Sequence, residues 1–173
     1  MNETRDAILP ILETTPLRWQ ALCGSVTPEL LRRKPAEGEW SALDCLIHLL
    51  DTEKFIFPVR VRAFLAGDKF AAFNPDQEGT RDTGQPPETL AAEFSALRAA
   101  SVAQIKTLAR EDLQRTALHA ELGQVTLAQM LNEWAGHDLN HTIQAERALM
   151  QLFIEKCGPW RGYFADHDLA LKK

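Results

Sequence analysis

The sequence has few cysteines, no long apolar run and no excess of positive charge. Its three cysteines, Cys23, Cys45 and Cys157, are scattered and odd in number, so they indicate neither a disulfide framework nor a CxxC site. No apolar run reaches the roughly 18 residues that a membrane-spanning helix needs. The net charge of −5 argues against a nucleic-acid partner, because a nucleic-acid backbone favours a basic protein face.

The N-terminus and the cysteines together predict a cytoplasmic protein. The opening residues, MNETRD, lack the apolar segment of a secretion signal. Scattered cysteines without a pairing pattern are typical of a reducing compartment. With 173 residues, of which 45% are hydrophobic, the chain has the size and composition of one globular domain. We expect residues 1–173 to form a single domain whose residues 156–173 are a C-terminal tail, packed in its first half and frayed at its end.

Hydrophobic periodicity predicts four long helices, at about residues 3–23, 41–65, 86–110 and 126–155. The second and fourth begin with capping boxes, Ser41 with Asp44 and Thr126 with Gln129. We expect residues 68–86 to form a long loop and residues 117–125 to form a small hairpin or an extended crossover. The fold class that this pattern predicts is all-α, an up-and-down four-helix bundle with long crossover loops.

The fourth helix carries two histidines, His137 and His141, that are four residues apart and therefore share one face. Heptad spacing places both on a predicted core seam, which consists of Leu127, Met130, Trp134, His137, His141, Gln144 and Ala148. Each unsatisfied ring nitrogen in a core costs about 1–3 kcal/mol. A metal ion held inside the bundle is one explanation for two histidines at such positions.

A third histidine, His48, lies in the apolar first turns of the second helix. Three protein ligands, His48, His137 and His141, leave a coordination position for water or substrate, which is typical of a catalytic metal site. A bound divalent ion lowers the pKa of its water or of a coordinated thiol. Sequence spacing alone does not show that the second and fourth helices face each other.

Other polar and aromatic residues near these histidines are candidates for the surroundings of the site. Asp51 and Asp138 each lie about one turn from a histidine and are candidates to orient a ligand's second ring nitrogen. Further polar candidates are Glu53 and Gln144, and Trp40 and Trp134 are candidate pocket walls. We read His119 as a surface or hydrogen-bonding residue, Arg60 as part of a solvated helix end, and the cysteines as core residues rather than nucleophiles.

Two other interpretations of the histidines remain open. The segment His137-Asp138-Leu139-Asn140-His141 is similar to the HExxH helix of zinc proteases, with an aspartate where the general-base glutamate would stand. The histidines can also be satisfied core residues that bind nothing. A di-iron carboxylate bundle is not predicted, because the required Glu-x-x-His motifs are absent.

Several short segments, taken in order, resemble the DinB-like family and in particular its YfiT-type branch. They are Gly38-Glu39-Trp40-Ser41, His48-Leu49-Leu50-Asp51 with Glu53, Gly123 with Val125-Thr126-Leu127, and His137-x-x-x-His141 with Gln144. The resemblance covers residues 5–150. It implies a four-helix bundle, a divalent metal ion on His48, His137 and His141, with zinc or nickel the expected ion, and a homodimer.

The resemblance also implies two kinds of function. Some relatives are transferases or isomerases that use a low-molecular-weight thiol, and others are described as metal-dependent hydrolases. We therefore expect a metal-dependent enzyme that activates such a thiol or water for transfer or hydrolysis on a small molecule. The alternative is a non-catalytic metal- or ligand-binding bundle, with a role in stress response.

Overall fold

The computed structural model describes residues 3–69 and 84–171. The helices of the described residues are α1 (Glu3–Ser25), α2 (Pro28–Arg32), α3 (Ala42–Phe55), α4 (Phe57–Ala66), α5 (Pro87–Thr107) and α6 (Leu127–Lys156). The predicted all-α four-helix bundle is confirmed, with α1, α3 together with α4, α5 and α6 as its four long members. Most of the loop predicted at residues 68–86 lies outside the described residues.

Local sequence signals explain where the helices begin and end. Both predicted capping boxes are present: the Asp44 amide donates to Ser41 Oγ over 3.1 Å, and the Gln129 amide donates to Thr126 Oγ1 over 3.2 Å. The second bundle helix is interrupted at Ile56, two residues before Pro58, which separates α3 from α4. Gly67 ends α4 in the left-handed conformation, at φ 78°, which glycine adopts without a steric penalty.

The four helices run up, down, down and up. α1 is antiparallel to α5, because Glu13 pairs with Lys106 and Arg5 donates to the Leu108 carbonyl. α3 and α4 are antiparallel to α6, since His48 lies beside His137 and Phe57 beside Trp134. α1 and α3 each pack against both α5 and α6. α1 and α3 therefore lie diagonally opposite each other in the bundle, and so do α5 and α6. A long crossover connects the two helices of each pair.

The core consists of two apolar clusters with a polar layer between them. One cluster contains Leu12, Phe57, Ile105 and Trp134, and the other contains Trp19, Leu46, Phe94 and Ala145. On every bundle helix, buried polar residues lie between the residues of the two clusters. This polar layer consists of Thr15, Thr52, Glu53, Arg98, Ser101, Asp138 and Thr142. The buried polar side chains are therefore concentrated about halfway along the bundle.

A two-stranded hairpin connects α5 to α6. Strand β1 (Thr116–His119) pairs antiparallel with β2 (Gly123–Thr126), so the predicted hairpin is present. Gly123 has a φ of 75°, which suits the glycine found there. Among the described helices, none is long and apolar enough to cross a membrane.

The first half of the C-terminal tail is more exposed than predicted, while Lys172 and Lys173, at the end that we expected to fray, lie outside the described residues. Its first half, a 3-10 helix over Gly158–Phe164, leaves Trp160 63% and Tyr163 85% exposed. The later residues are anchored instead: Asp168 is buried and pairs with Arg161 over 2.6 Å. In addition, the Leu169 amide donates to Gln151 Oε1 over 3.0 Å. Polar contacts, which hydrophobic spacing does not indicate, fix this segment.

Candidate metal centre

Three histidines from two distant segments of the chain lie close together at the edge of the bundle, next to the polar layer. His48 of α3 is buried, and His137 and His141 of α6 are partly buried. The Nε2 atoms of His48 and His137 lie 2.9 Å apart. The ring centroids of His48 and His141 are separated by 4.4 Å, and those of His137 and His141 by 4.5 Å. One ligand atom from each of the three lies within 4.8 Å of the others, so the three side chains can hold a metal ion together.

In the second half of α6, the residues that face the core are not the ones that we predicted. Leu127, Met130, Trp134 and Ala148 are buried as predicted, but the stripe between them passes through Asp138, Thr142 and Ala145. His137, His141 and Gln144 lie on the flank of this stripe. The histidine cluster is therefore at the edge of the bundle, where solvent and small molecules can reach it, and not on its axis.

Burial keeps all three imidazoles neutral. Desolvation, with a smaller contribution from the neighbouring His141, lowers the pKa of His48 to about 3. Desolvation lowers the pKa of His137 to about 2, with contributions from His141 and His48. The pKa of His141 is also lowered, mainly by burial, although its hydrogen bond to Gln144 opposes the shift. Neutral imidazoles are the form that binds a metal ion, and the donor set suits zinc, nickel or copper.

Gln144 has the role of a supporting residue. His141 Nδ1 and Gln144 Oε1 lie 2.9 Å apart. Because an amide oxygen only accepts, the ring donates from Nδ1, and the lone pair of His141 is then on Nε2. Gln144 thereby fixes the tautomer that leaves Nε2 available to the cluster.

The two tryptophans that we proposed as pocket walls have different positions. Trp40 stacks on His141, at 5.5 Å between ring centroids and 18° between ring planes, and contacts His48 at 5.1 Å. Trp134 is fully buried and stacks on Phe57 at 4.6 Å, while Phe57 contacts the edge of His137. Trp40 thus contacts two of the three histidines, whereas Trp134 supports Phe57 and does not line the pocket beside the histidines.

The carboxylates that we proposed as orienting residues have charged partners of their own in the structure. Asp138 accepts hydrogen bonds from Arg98 Nη1 at 2.5 Å and Nη2 at 3.1 Å, and Glu53 Oε2 accepts from Arg98 Nε at 2.8 Å. The charged neighbours of Asp51 are Lys54 and Glu93. The sequence pattern could not reveal this, because Arg98 lies 45 and 40 residues from its two partners.

A pocket of about 330 Å³ opens beside the three histidines. Its other walls come from α3 and α4, from the hairpin and from the first half of α6, and consist of Thr52, Ile56, Phe57, Arg60, His119, Glu121, Leu122 and Glu133. A second pocket, of about 360 Å³, shares Arg60, His119, Leu122 and Glu133 with the first. Its remaining walls are Val125, Gln129 and Met130, so the space extends from the histidines along an apolar surface.

The charged pocket residues were not among our predicted site residues. Arg60 is partly buried, and burial lowers its pKa while Glu133 opposes the shift. Burial raises the pKa of Glu133, and Arg60 opposes that shift. Glu133 lies four residues before His137, so the helical spacing that links the two histidines could have identified it. His119 fits its predicted hydrogen-bonding role, because its Nδ1 accepts from the backbone amides of Glu121 and Leu122.

Cys23 and Cys45 are buried and poor nucleophiles, as the sequence indicated. Burial raises the pKa of Cys23 to about 11 and that of Cys45 to about 12. None of the three cysteines lines the pocket beside the histidines. A thiol that reacts at this site would therefore be supplied by another molecule.

Comparisons with known proteins identify the family and agree with the fold. The model of the DinB superfamily matches residues 11–145. A solved structure of YfiT from Bacillus subtilis, described as a probable metal-dependent hydrolase with an unusual four-helix bundle topology, superposes with a TM-score of 0.73 at 19% identity, covering 88% of this chain and 89% of that chain. A DinB-like protein from Bacillus subtilis, YjoA, gives a TM-score of 0.57 at 20% identity, covering 84% and 92%. A search among curated proteins found no match. Because the family match spans most of its length, the chain belongs to the DinB superfamily.

Proposed function

We propose that the protein is a metal-dependent enzyme that uses His48, His137 and His141 to hold a divalent ion, with zinc or nickel the favoured ions. Its reaction is the transfer of a low-molecular-weight thiol, or hydrolysis by water, on a small molecule. The observation that carries this proposal is the convergence of three neutral imidazoles at the edge of an open pocket. The description of YfiT as a probable metal-dependent hydrolase supports it.

The donor set favours catalysis over a purely structural role for the ion. Structural zinc sites are closed by four protein ligands, whereas catalytic sites have three and keep one position open. The described residues bring three histidines together as one group that can hold a metal, and no fourth histidine, cysteine or carboxylate joins that group. When bound, the ion would lower the pKa of a water or thiol in the open position.

The pocket residues suggest how the protein handles the substrate. Glu133 is the pocket carboxylate whose pKa is raised, by desolvation of its carboxyl group, although part of the residue is exposed; it is therefore the candidate to accept the proton of the attacking water or thiol. The Arg60 guanidinium favours the ionised form of Glu133 and offers donors to a polar substrate group. The volume of about 330 Å³ suits a small molecule.

The experiment compares metal-loaded and chelator-treated protein on panels of thiols with electrophiles and of small esters and amides. We expect turnover that needs the metal and that falls by about 100-fold or more in Glu133→Gln, the range that loss of a general base gives. A matched control is Glu146→Gln, which neutralises an exposed carboxylate of the same helix. Metal binding without turnover on either panel would favour the non-catalytic binding bundle.

A homodimer stays part of the proposal. Light scattering on the purified protein at several concentrations would test it, and a single species with the mass of one chain would contradict it.

A further inference from the structure

A further cavity, of about 270 Å³, lies next to His141 towards the C-terminal end of α6. We call it the Arg147 cavity, because Arg147 lines it together with two other polar residues of α6, Asn140 and Gln144. The loop before α3 contributes Trp40 to its wall. Trp40 stacks on His141, and Gln144 is hydrogen-bonded to it, so the cavity borders the histidine cluster.

The C-terminal tail completes the wall of the Arg147 cavity through Leu169. Gln151 of α6 holds the tail in this place, since its Oε1 accepts from the Leu169 amide and its Nε2 donates to the His167 carbonyl, each over 3.0 Å. The neighbouring Asp168 is 1% exposed and pairs with Arg161. Specific polar contacts therefore fix the wall of this cavity.

Arg147 brings a buried donor without a partner to this cavity. Its Nε is buried and makes no hydrogen bond to any atom of the described residues. A buried donor that stays unsatisfied costs about 1–3 kcal/mol. Glu39 lines the same cavity but is exposed, and within the described part of the chain no ion pair joins it to Arg147. The Arg147 guanidinium therefore has donors available to a ligand.

Gln144 adds a second donor group to the cavity. Its Oε1 faces His141 Nδ1 at 2.9 Å, and its Nε2 makes no hydrogen bond to a residue that the structure describes. Gln144 and Arg147 are three residues apart and share one face of α6. A guanidinium and an amide NH₂ group only donate. Two donor groups without protein acceptors on one cavity wall are suited to an anion.

The other walls indicate which anion fits. One guanidinium balances one negative charge, and Glu39 disfavours a second. A guanidinium matches the planar carboxylate with two parallel hydrogen bonds. Much of the remaining wall is apolar and consists of the Trp40 ring with Pro35, Ile143 and Leu169. This combination favours a monocarboxylic acid with an apolar or aromatic body over a phosphate dianion.

We propose that the Arg147 cavity binds the carboxylate of a small organic acid. The Arg147 guanidinium and the Gln144 amide hold the carboxylate, and the apolar body of the acid packs against Trp40. The site does not depend on the proposed metal ion, although its ligand lies beside His141.

The test is an NMR titration of isotope-labelled, chelator-treated protein with phenylacetate. Phenylacetamide has the same body without the charge, and inorganic phosphate is a second comparison. We expect phenylacetate to shift the Arg147 Nε–Hε signal and the Gln144 side-chain amide signal. It should bind about tenfold or more tightly than phenylacetamide, which is the range that a hydrogen bond to a charged group gives.

Variants identify the residue that carries the binding, with the Gln144 amide signal as the readout in all of them. Arg147→Met removes the guanidinium and should weaken the binding of phenylacetate about tenfold or more. The matched control, Lys156→Met, removes an exposed cation from the end of the same helix and should keep the wild-type affinity. Ile143→Glu adds a negative charge to the cavity wall at a residue that is 54% exposed. It should also weaken binding, which keeps the test decisive if Arg147→Met does not fold.

Three results overturn the inference: no shift of the Arg147 signal, equal affinities for phenylacetate and phenylacetamide, or wild-type affinity in Arg147→Met. Tighter binding of phosphate than of phenylacetate would show that the assignment to a carboxylate is wrong. Because the titration uses chelator-treated protein, a failure to bind the acid leaves the proposed metal enzyme standing. A failure of the wild-type protein to bind Zn²⁺ or Ni²⁺ contradicts the proposed function and leaves the acid site standing.

Discussion

His48 Nε2 and His137 Nε2 lie 2.9 Å apart although 89 positions separate the two residues in the chain. Two neutral imidazoles at this distance share a proton in a hydrogen bond or turn their lone pairs towards a common cation. The second arrangement also uses His141, whose tautomer Gln144 fixes with the lone pair on Nε2. The antiparallel packing of α3 against α6 creates this meeting point, and the metal-binding predictions depend on it.

Replacing His141 by alanine should remove the metal and leave the fold. The ring is partly exposed and lies on the flank of the core stripe, so the apolar clusters keep their contacts. Elemental analysis after loading and dialysis should give about one divalent ion per wild-type chain and close to none for His141→Ala. Circular dichroism should show the same helix content in both.

His119→Ala is the matched control for His141→Ala, because His119 lines the same pocket outside the histidine cluster. It should retain the ion. Global unfolding of His141→Ala, or full metal content in it, would contradict the ligand assignment.

The metal-free protein should lose stability as the pH falls from about 6.5 towards 3. In the folded protein the pKa of His48 is about 3 and that of His137 about 2, below the ordinary value of 6.5. Between these values the unfolded chain binds protons that the folded chain does not, so acid favours unfolding. The free energy of unfolding should fall by at most about 2 kcal/mol per histidine at about pH 5.

Urea titrations at several pH values with chelator present measure this dependence. His48→Asn removes one of the titrating groups and should make the free energy of unfolding less dependent on pH. A pH dependence that is the same in His48→Asn and in the wild type would show that His48 is not held neutral by burial.

Replacing Arg98 by methionine should destabilise the protein strongly. It leaves Glu53 and Asp138 buried without their partner, and removing one member of a buried ion pair costs about 3–5 kcal/mol. Arg33→Met is the comparison, because Arg33 pairs with Glu155 at the surface over 2.9 Å, and such exposed pairs contribute about 0–1 kcal/mol. Chemical denaturation measures the free energy of unfolding of both variants. Equal losses of stability would mean that the polar layer does not hold the bundle together.

Thiol labelling should distinguish the three cysteines. Cys157 is partly exposed, while Cys23 and Cys45 are buried with pKa values raised to about 11 and 12. Because the thiolate is the reactive form, a disulfide reagent at neutral pH should modify Cys157 in the native protein and the other two only after unfolding. Mass spectrometry of the labelled peptides identifies the sites. Rapid modification of Cys45 in the folded protein would contradict its assignment as a core residue.

The sequence predicts the histidine cluster better than its surroundings. Spacing places His137 and His141 on one face, and an apolar context singles out His48. These are local signals. The helix starts at Ser41 and Thr126 were equally predictable, because a capping box is complete within four residues.

The remaining features depend on contacts between distant parts of the chain. Asp138 occupies the core stripe because Arg98 pairs with it from another helix, and hydrophobic spacing counts any aspartate as polar and exposed. Arg60 and His119 line the pocket only because the hairpin folds back beside α4. The order of helices around the bundle likewise follows from packing and not from any single helix.

The most direct test of the metal centre is an anomalous difference map from a crystal of the protein loaded with Zn²⁺ or Ni²⁺. The account predicts one strong peak about 2.0–2.1 Å from a nitrogen of each of His48, His137 and His141, with the remaining position facing the pocket. A map without a peak there, or with a peak that only two of these rings can reach, would contradict it.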